Sequence, residues 1–176
     1  MHTAKNSPDA MLAATLSFSR YVQRIIDSEP TRKIALLKAL QSPFKRDEML
    51  AFLDSQSAHI SNEEILHSVL RDLRKQVMLR LAIRDLSSQA DLSEVMLSMT
   101  ELAEVTINFA LKHHENWLTQ SDRFGLPIGE QSNTTQHMLI VAMGKLGGGE
   151  LNVSSDVDLI FVYPEDGDTQ VSQPGQ

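Results

Sequence analysis

The sequence predicts an α+β protein in which a bundle of helices precedes a short β-rich segment. Through residues 1–125, apolar side chains recur at intervals of three and four, which is the spacing of one face of an amphipathic helix. Two short apolar runs follow, one on each side of a cluster of glycines, and both are typical of β-strands. We therefore expect a helical domain at 1–125, a linker at 126–137 and an incomplete α/β domain at 138–176.

The helical part is expected to hold several consecutive helices. The three shorter ones are predicted at 11–28, 31–40 and 46–56. Two longer helices follow, and each begins with the capping-box pattern, a polar residue three positions before a glutamate, at Ser61–Glu64 and Asp91–Glu94. We expect each long helix to run for about 25 to 30 residues, which indicates an elongated bundle.

The first long helix carries a series of basic side chains. They are Arg71, Arg74, Lys75, Arg80 and Arg84. We favour a solvated face paired with Glu64, Asp72 and Asp85, because opposite charges three or four residues apart stabilise an exposed helix. The alternative is a docking patch for an acidic partner or for a nucleotide.

Composition excludes several functional classes. The 176 residues contain no cysteine, which excludes disulfide scaffolds, thiolate zinc sites and cysteine nucleophiles. The net charge of −7 argues against binding to nucleic acid or to an anionic membrane. The longest apolar run, Met138–Met143, is far shorter than the roughly 20 residues that span a bilayer. The N-terminus does not resemble a signal peptide, so we expect a cytoplasmic protein.

The β-rich segment begins with the apolar run Met138–Met143, which predicts a buried strand. A glycine-rich turn at Gly144–Gly149 follows, and Val157–Tyr163 predicts a second strand. Six acidic side chains but only one basic side chain lie within 137–176, so this stretch carries most of the net negative charge. Such a cluster is either a solvated surface, which is the commoner case, or a cation site.

Asp156 and Asp158 favour the cation site. At the expected start of the second strand, alternation would put both carboxylates on one face, roughly 6–7 Å apart. Two such carboxylates can share Mg²⁺, and a preceding glycine-rich loop lets the backbone approach phosphate oxygens. The combination indicates metal-assisted phosphoryl or nucleotidyl transfer. The spacing of Gly144, Gly147 and Gly149 differs from the dinucleotide-binding motif, and Lys145 precedes the glycines, unlike the lysine of a Walker A loop.

The stretch from Gly144 to Phe161 resembles the signature of the glutamine synthetase adenylyltransferase family. It reads Gly-Lys-Leu-Gly-Gly-Gly-Glu-Leu-Asn-Val-Ser-Ser-Asp-Val-Asp-Leu-Ile-Phe, and the match is nearly continuous. Weaker resemblances lie upstream, at Leu16–Val22 and at Leu70–Leu81. The likeness therefore covers most of the chain and is strong at 138–163.

The resemblance implies a polymerase-β-like nucleotidyltransferase domain, of which this chain would hold only the truncated beginning. Members of the family carry two such domains. The amino-terminal one removes AMP from a tyrosine of glutamine synthetase by phosphorolysis and releases ADP, and the carboxy-terminal one adds AMP from ATP. Because the motif follows a helical lead of about 140 residues, the chain resembles the amino-terminal, adenylyl-removing half. The expected partners are glutamine synthetase and a PII-type nitrogen-signalling regulator.

By the same resemblance, Asp156 and Asp158 would bind two Mg²⁺ ions, and a nucleotide, ATP or ADP, would bind beside them with inorganic phosphate. The residues implied for nucleotide and phosphate binding are Gly144, Lys145, Gly147, Gly148, Gly149, Ser154 and Ser155. A third metal-binding carboxylate is expected beyond Gln176, because Asp166 and Asp168 lie in or beside a turn. The chain alone is therefore expected to be inactive. The alternatives are a non-catalytic helical module that binds glutamine synthetase or a nitrogen-signalling regulator, and a nucleotidyltransferase with another acceptor.

Overall fold

The computed structural model describes residues 7–120 and 124–170, and it confirms the α+β class. The helices that come first are α1 (Pro8–Phe18), α2 (Arg20–Ser28), α3 (Pro30–Ala39), α4 (Arg46–Ser57), α5 (Glu63–Leu86) and α6 (Leu92–Gln120). They are followed by β1 (Leu126–Gly129), β2 (Leu139–Ala142), the single-turn helix α7 (Gly144–Gly147), β3 (Leu159–Val162) and β4 (Gly167–Gln170). Among the described residues, no helix is both long enough and apolar enough to cross a membrane.

The segment 11–28, predicted as one helical stretch, forms two helices that meet at Ser19. Ser19 has an extended backbone, and its hydroxyl accepts a hydrogen bond from the amide of Val22 at 3.3 Å. A serine in this position satisfies an otherwise unpaired amide at the start of the next helix, so the chain turns there. The turn lets α1 and α2 bury separate apolar residues, among them Leu12 and Ile25.

Both long helices are present, with 24 residues in α5 and 29 in α6, but their caps differ from the predicted capping boxes. The N-cap of α5 is Asn62 and not Ser61, and the Asn62 side chain accepts a hydrogen bond from the amide of Ile65 at 2.9 Å. At α6, Asp91 caps the amide of Glu94 at 2.8 Å. The Glu94 carboxylate binds an arginine of α5, so the second half of that capping box is replaced by an ion pair.

Helix α5 lies between two apolar cores. Leu73 and Val77 of α5 pack with α4 and α6 in the first, which we call the α4–α6 core. Leu79 and Ile83 pack with α1, α2 and α3 in the second. The α4–α6 core also takes in side chains of the β-rich segment, so the helices and the candidate site share one packed interior.

Two of the arginines of α5 are buried, so the prediction of a solvated face is wrong for them. Arg80 is 7% exposed, and its guanidinium binds Glu48 at 3.0 Å and lies 4.2 Å from the centre of the Phe44 ring. Arg84 is 6% exposed and binds both carboxylate oxygens of Glu94, at 2.6 and 2.8 Å. The partners come from α4 and α6, because only the packing of neighbouring helices brings a carboxylate to the inner side of α5.

The remaining basic residues of α5 follow the prediction more closely. Arg71 and Arg74 are exposed. Lys75 binds Glu29 of the α2–α3 junction at 2.6 Å, and Arg32 of α3 bridges Glu29 to α5. These ion pairs join α3 and the α2–α3 junction to α5.

Strands β2 and β3 pair antiparallel, and they are more exposed than the apolar sequence predicts. Val141 pairs with Ile160, and Ala142 pairs with Leu159. Ala142 and Leu159 pack on the α4–α6 core, but Val141 and Ile160 are exposed and Leu139 is 56% exposed. The predicted strand is present at Leu139–Ala142, but the prediction that it is buried is wrong, because this sheet has two strands within the described residues and the helices cover only part of one face.

Strands β1 and β4 form a separate antiparallel ribbon. Strand β1 lies inside the segment 126–137 that the sequence indicated as a linker, and β4 lies in the polar stretch after the Pro164 turn. Ile128 pairs with Asp168 across the ribbon. Both strands are short and polar or proline-containing, so their pairing could not be read from an alternation of apolar residues. Residues 171–176 of the predicted last domain lie outside the described part of the chain.

Candidate functional site

The pairing of β2 with β3 brings the glycine-rich loop and the aspartate pair together. The ladder continues one step beyond the strands, since the amide of Met143 donates a hydrogen bond to the carbonyl of Asp158 at 3.0 Å. Met143 immediately precedes Gly144, and Asp158 immediately precedes β3. The two predicted halves of the site therefore lie side by side at one end of the β2–β3 pair.

Asp156 and Asp158 are both exposed, and they lie just before β3 rather than within it. The alternation of side chains along a strand therefore does not by itself set the separation of their carboxylates. Exposed carboxylate oxygens are the ligands that Mg²⁺ prefers, so the donor chemistry fits that ion. Among the described residues, no group of three or more acidic, histidine or cysteine side chains is placed to hold a metal. A complete site would need ligands in addition to these two.

The glycines of the loop have distinct backbone roles. Gly144 and Gly149 have φ angles of +55° and +72°, a left-handed conformation that side chains with a Cβ rarely adopt. Gly147 lies so close to β2 that a Cβ there would be 2.4 Å from the carbonyl oxygen of Ala142. Gly148 has neither constraint. The loop thus needs glycine at three positions for geometric reasons that are independent of any ligand.

Hydrogen bonds within the loop occupy several of its amides. The amide of Gly147 donates to Met143 at 3.2 Å, that of Gly148 to Gly144 at 3.0 Å, and that of Gly149 to Leu146 at 3.1 Å. These bonds make α7 and the turn after it a compact unit. The charged side chain of the loop is that of Lys145, which is exposed.

Two leucines anchor the loop to the helices. Leu146 is 4% exposed and Leu151 is 2% exposed, and both pack in the α4–α6 core. The amide of Leu151 donates a hydrogen bond to the buried hydroxyl of Thr100 on α6 at 3.3 Å. Sequence reasoning did not find these anchors. The available signal was the pair of leucines on either side of the glycine run, since a buried apolar residue within a glycine-rich turn has to pack against something.

Asn152 organises the segment that leads to the aspartates, and it too was not identified from the sequence. Its side-chain oxygen accepts hydrogen bonds from the amide of Ser154 at 3.2 Å and from the hydroxyl of Ser155 at 2.8 Å. Asparagine followed by serine at the second and third positions is a known turn-forming pattern, which was the signal that could have found it. The two predicted serines thus have structural partners close to Asp156.

The other acids of the segment 137–176 that follow β3 belong to the β1–β4 ribbon. Asp168 lies in β4, and Asp166 accepts a hydrogen bond from the hydroxyl of Tyr163 at 3.1 Å. The Glu165 carboxylate accepts hydrogen bonds from Ser132 and from the amide of Gln131, which hold the pKa of Glu165 below its usual value. These residues follow the C-terminal end of β3, whereas Asp156 and Asp158 precede its N-terminal end. The ribbon acids therefore account for part of the acidic cluster without contributing to the loop.

Comparison with known proteins covers nearly the whole chain. Residues 10–175 match the sequence profile of the family described as glutamate-ammonia ligase adenylyltransferase. A relative from Nitrosomonas eutropha, named bifunctional glutamine synthetase adenylyltransferase/adenylyl-removing enzyme, is 53% identical over 164 residues, which is 93% of this chain and 18% of the relative.

Relatives with the same name from other bacteria give similar values. The protein from Nitrosomonas europaea is 54% identical over 91% of this chain, and that from Chromobacterium violaceum is 43% identical over 91%. The chain spans 17% of the length of each of these two relatives. The match of residues 10–175 includes α1 to α6 as well as the glycine-rich loop and the aspartate pair. The chain therefore belongs to the glutamate-ammonia ligase adenylyltransferase family.

Proposed function

We propose that this chain forms part of an Mg²⁺-dependent nucleotidyltransferase site of polymerase-β-like fold that acts on glutamine synthetase. The observation that carries the proposal is the hydrogen bond from Met143 to Asp158, which aligns the aspartate pair with the glycine-rich loop. Phosphate-binding loops and acidic metal ligands must be adjacent for phosphoryl transfer, because a metal ion held by the carboxylates would neutralise charge on the phosphoryl group. The family membership and the names of the relatives support glutamine synthetase as the substrate.

Each element of the site has a proposed role. Asp156 and Asp158 would hold Mg²⁺, which when bound would neutralise charge on the transferring phosphoryl group. The loop from Gly144 to Gly149 would receive the nucleotide phosphates, and the Lys145 ammonium group would contact one of them. Ser154 and Ser155, held by Asn152, would border the nucleotide.

We assign the chain to the adenylyl-removing half, because the motif follows a helical lead, as the family resemblance implies for that half. The reaction is a phosphorolysis. An oxygen of inorganic phosphate bonds to the phosphorus of the AMP group, the bond from that phosphorus to the tyrosine oxygen breaks, and the tyrosine oxygen takes up a proton. ADP and free tyrosine result. We also expect control by a PII-type regulator in the cytoplasm.

Calorimetry tests the binding part of the proposal on the 176-residue chain. ADP would be titrated with and without Mg²⁺ into the wild type, into Asp156→Asn/Asp158→Asn and into Asp166→Asn/Asp168→Asn. The two double variants change the charge equally, but the second alters only the β1–β4 ribbon and the turn before it. We expect the first double variant to lose Mg²⁺-dependent binding and the second to keep it. Equal binding by both variants would overturn the assignment of the aspartates.

A chimera tests the assigned half. The chain would replace the aligned segment of the Nitrosomonas eutropha relative, with and without the Asp156→Asn/Asp158→Asn pair. We expect the double variant to lose removal of AMP from glutamine synthetase and to keep its addition. Loss of both activities in a folded chimera would contradict the adenylyl-removing assignment. An absence of nucleotide binding together with retained binding to glutamine synthetase would favour the non-catalytic module.

A further inference from the structure

Helix α6 reaches the glycine-rich loop through one buried hydrogen bond. Thr100 lies on α6 between Met99 and Glu101, it is buried, and its hydroxyl oxygen accepts a hydrogen bond from the amide of Leu151 at 3.3 Å. The two residues are 51 positions apart in sequence. A buried amide without a partner is costly, so the hydroxyl satisfies a group that a purely apolar residue would leave unpaired.

Leu151 lies between the two halves of the candidate site and anchors the backbone that joins them. Gly149, with its left-handed backbone, precedes Leu151 by two residues, and the amide of Glu150 closes the turn on the carbonyl of Lys145 at 2.7 Å. The side chain of Leu151 packs in the α4–α6 core. A displacement of Leu151 would therefore move the end of the glycine-rich loop.

The same residue also determines where the aspartate segment begins. Leu151 is followed directly by Asn152, whose side chain holds Ser154 and Ser155. Asp156 comes next. Val153 and Ser154 are exposed, and the buried anchor before them is the Leu151 side chain with its bonded amide.

We propose that Thr100 is a positioning residue for this site, which acts through the Leu151 amide to hold the glycine-rich loop and the aspartate segment in register. The proposal rests on the proposed function for its consequence in nucleotide binding. The structural part of the proposal is that the Thr100 hydroxyl of α6 controls the local stability of residues 144–155. The leucine side chains supply the apolar contact, and the hydroxyl supplies the polar contact that selects one position of the backbone.

Hydrogen exchange followed by mass spectrometry on the 176-residue chain tests the structural part of the proposal. Thr100→Val keeps the shape of the side chain but removes the hydroxyl, whereas Thr100→Ser keeps the hydroxyl. Thr106→Val is the matched control, because the Thr106 hydroxyl donates within α6, to the carbonyls of Leu102 at 2.7 Å and Ala103 at 3.0 Å. We expect Thr100→Val to accelerate exchange at 144–155 about tenfold, with α1 to α3 unchanged. Thr100→Ser and Thr106→Val should exchange there like the wild type.

Three outcomes would contradict the proposal. Unchanged exchange at 144–155 in Thr100→Val would mean that the hydrogen bond does not hold the loop. Uniform acceleration over the whole chain, or equal effects of Thr100→Val and Thr106→Val, would mean that Thr100 only stabilises α6. If Thr100→Val does not fold, Thr100→Ala against Thr100→Ser provides the same comparison.

Nucleotide binding separates this proposal from the proposed function. Titration of ADP with Mg²⁺ should show weaker binding in Thr100→Val and wild-type binding in Thr100→Ser. If the wild-type chain binds no nucleotide, the proposed function fails while the exchange experiment still decides the role of Thr100. If the wild type binds and Thr100→Val binds equally well despite faster exchange, positioning for the site is refuted.

Discussion

The three consecutive glycines at 147–149 provide the sharpest test of the loop geometry. They look equivalent in the sequence, but their surroundings differ. A Cβ at Gly147 would lie 2.4 Å from the carbonyl oxygen of Ala142, whereas a Cβ at Gly148 would have its nearest neighbour, the carbonyl oxygen of Gly144, at 3.6 Å. A Cβ at Gly149 would meet nothing within 4 Å, but φ there is +72°. Substitution by alanine should therefore have three different effects.

The magnitudes follow from these distances and angles. Ordinary Cβ contacts begin at 3.4 Å, so Gly147→Ala must push α7 and the end of β2 apart by about 1 Å. Such overpacking typically costs about 1–3 kcal/mol, and we expect ~2 kcal/mol of lost unfolding free energy. Gly149→Ala should cost ~1 kcal/mol for its left-handed backbone. Gly148→Ala should be neutral or stabilise by about 0.5 kcal/mol, because it reduces the freedom of the unfolded chain without strain.

Urea unfolding followed by circular dichroism measures this series. Gly147→Ala should be the least stable variant, and Gly149→Ala should be the next. Gly148→Ala should be as stable as the wild type or slightly more stable. Mg²⁺-dependent ADP binding, measured in parallel, should be weakest in Gly147→Ala. A Gly147→Ala chain as stable as the wild type, or a Gly148→Ala chain as damaged as Gly147→Ala, would refute the close approach of the loop to β2.

Two further predictions concern the ion pairs of the helices. Arg84→Ala should lower the unfolding free energy by about 3 kcal/mol, because it leaves the Glu94 carboxylate without its buried partner, while Arg71→Ala on the exposed side of α5 should change it by less than ~0.5 kcal/mol. Equal effects in urea unfolding would contradict the burial of Arg84. The pKa of Glu29 lies below its usual 4.5, and the hydrogen bond from Lys75 is the largest cause. The stabilisation of the folded chain by the ionised Glu29 is therefore present above pH 4.5 and is lost as the pH falls through the lowered pKa. Glu29→Gln should therefore flatten the fall of the thermal midpoint below pH 4.5, and an unchanged fall would count against the interaction.

Local patterns predicted most of the helical framework. The apolar periodicity located the helices that became α3, α4, α5 and α6, because an amphipathic face is a property of the sequence alone. The break at Ser19 was missed, since serine is compatible both with a helix interior and with a cap, and only the packing of α1 and α2 distinguishes the two. The cap at Asn62 was misplaced by one residue for the same reason.

The candidate site was predicted as two adjacent motifs, and its supports were not predicted. The motif contained the glycines and the aspartates, and chemistry alone connects them with phosphate and Mg²⁺. Thr100 lies 51 residues before Leu151, so no spacing rule could connect them. To predict that Gly147→Ala costs more stability than Gly148→Ala, one needs the position of the Ala142 carbonyl, which depends on how α7 packs against β2.

The sequence by itself determined the positions of α3 to α6, β2 and β3, the acidity of the β-rich segment and the residue types that a nucleotidyl-transfer site requires. The tertiary structure decided which charges are buried, as at Arg80 and Arg84, and which apolar residues are exposed, as at Val141 and Ile160. It also decided that the loop rests on α6 through Leu151. The physical reason is that helix and strand periodicity depend on neighbours within a few residues, whereas burial and register depend on surfaces that meet only when distant segments pack together.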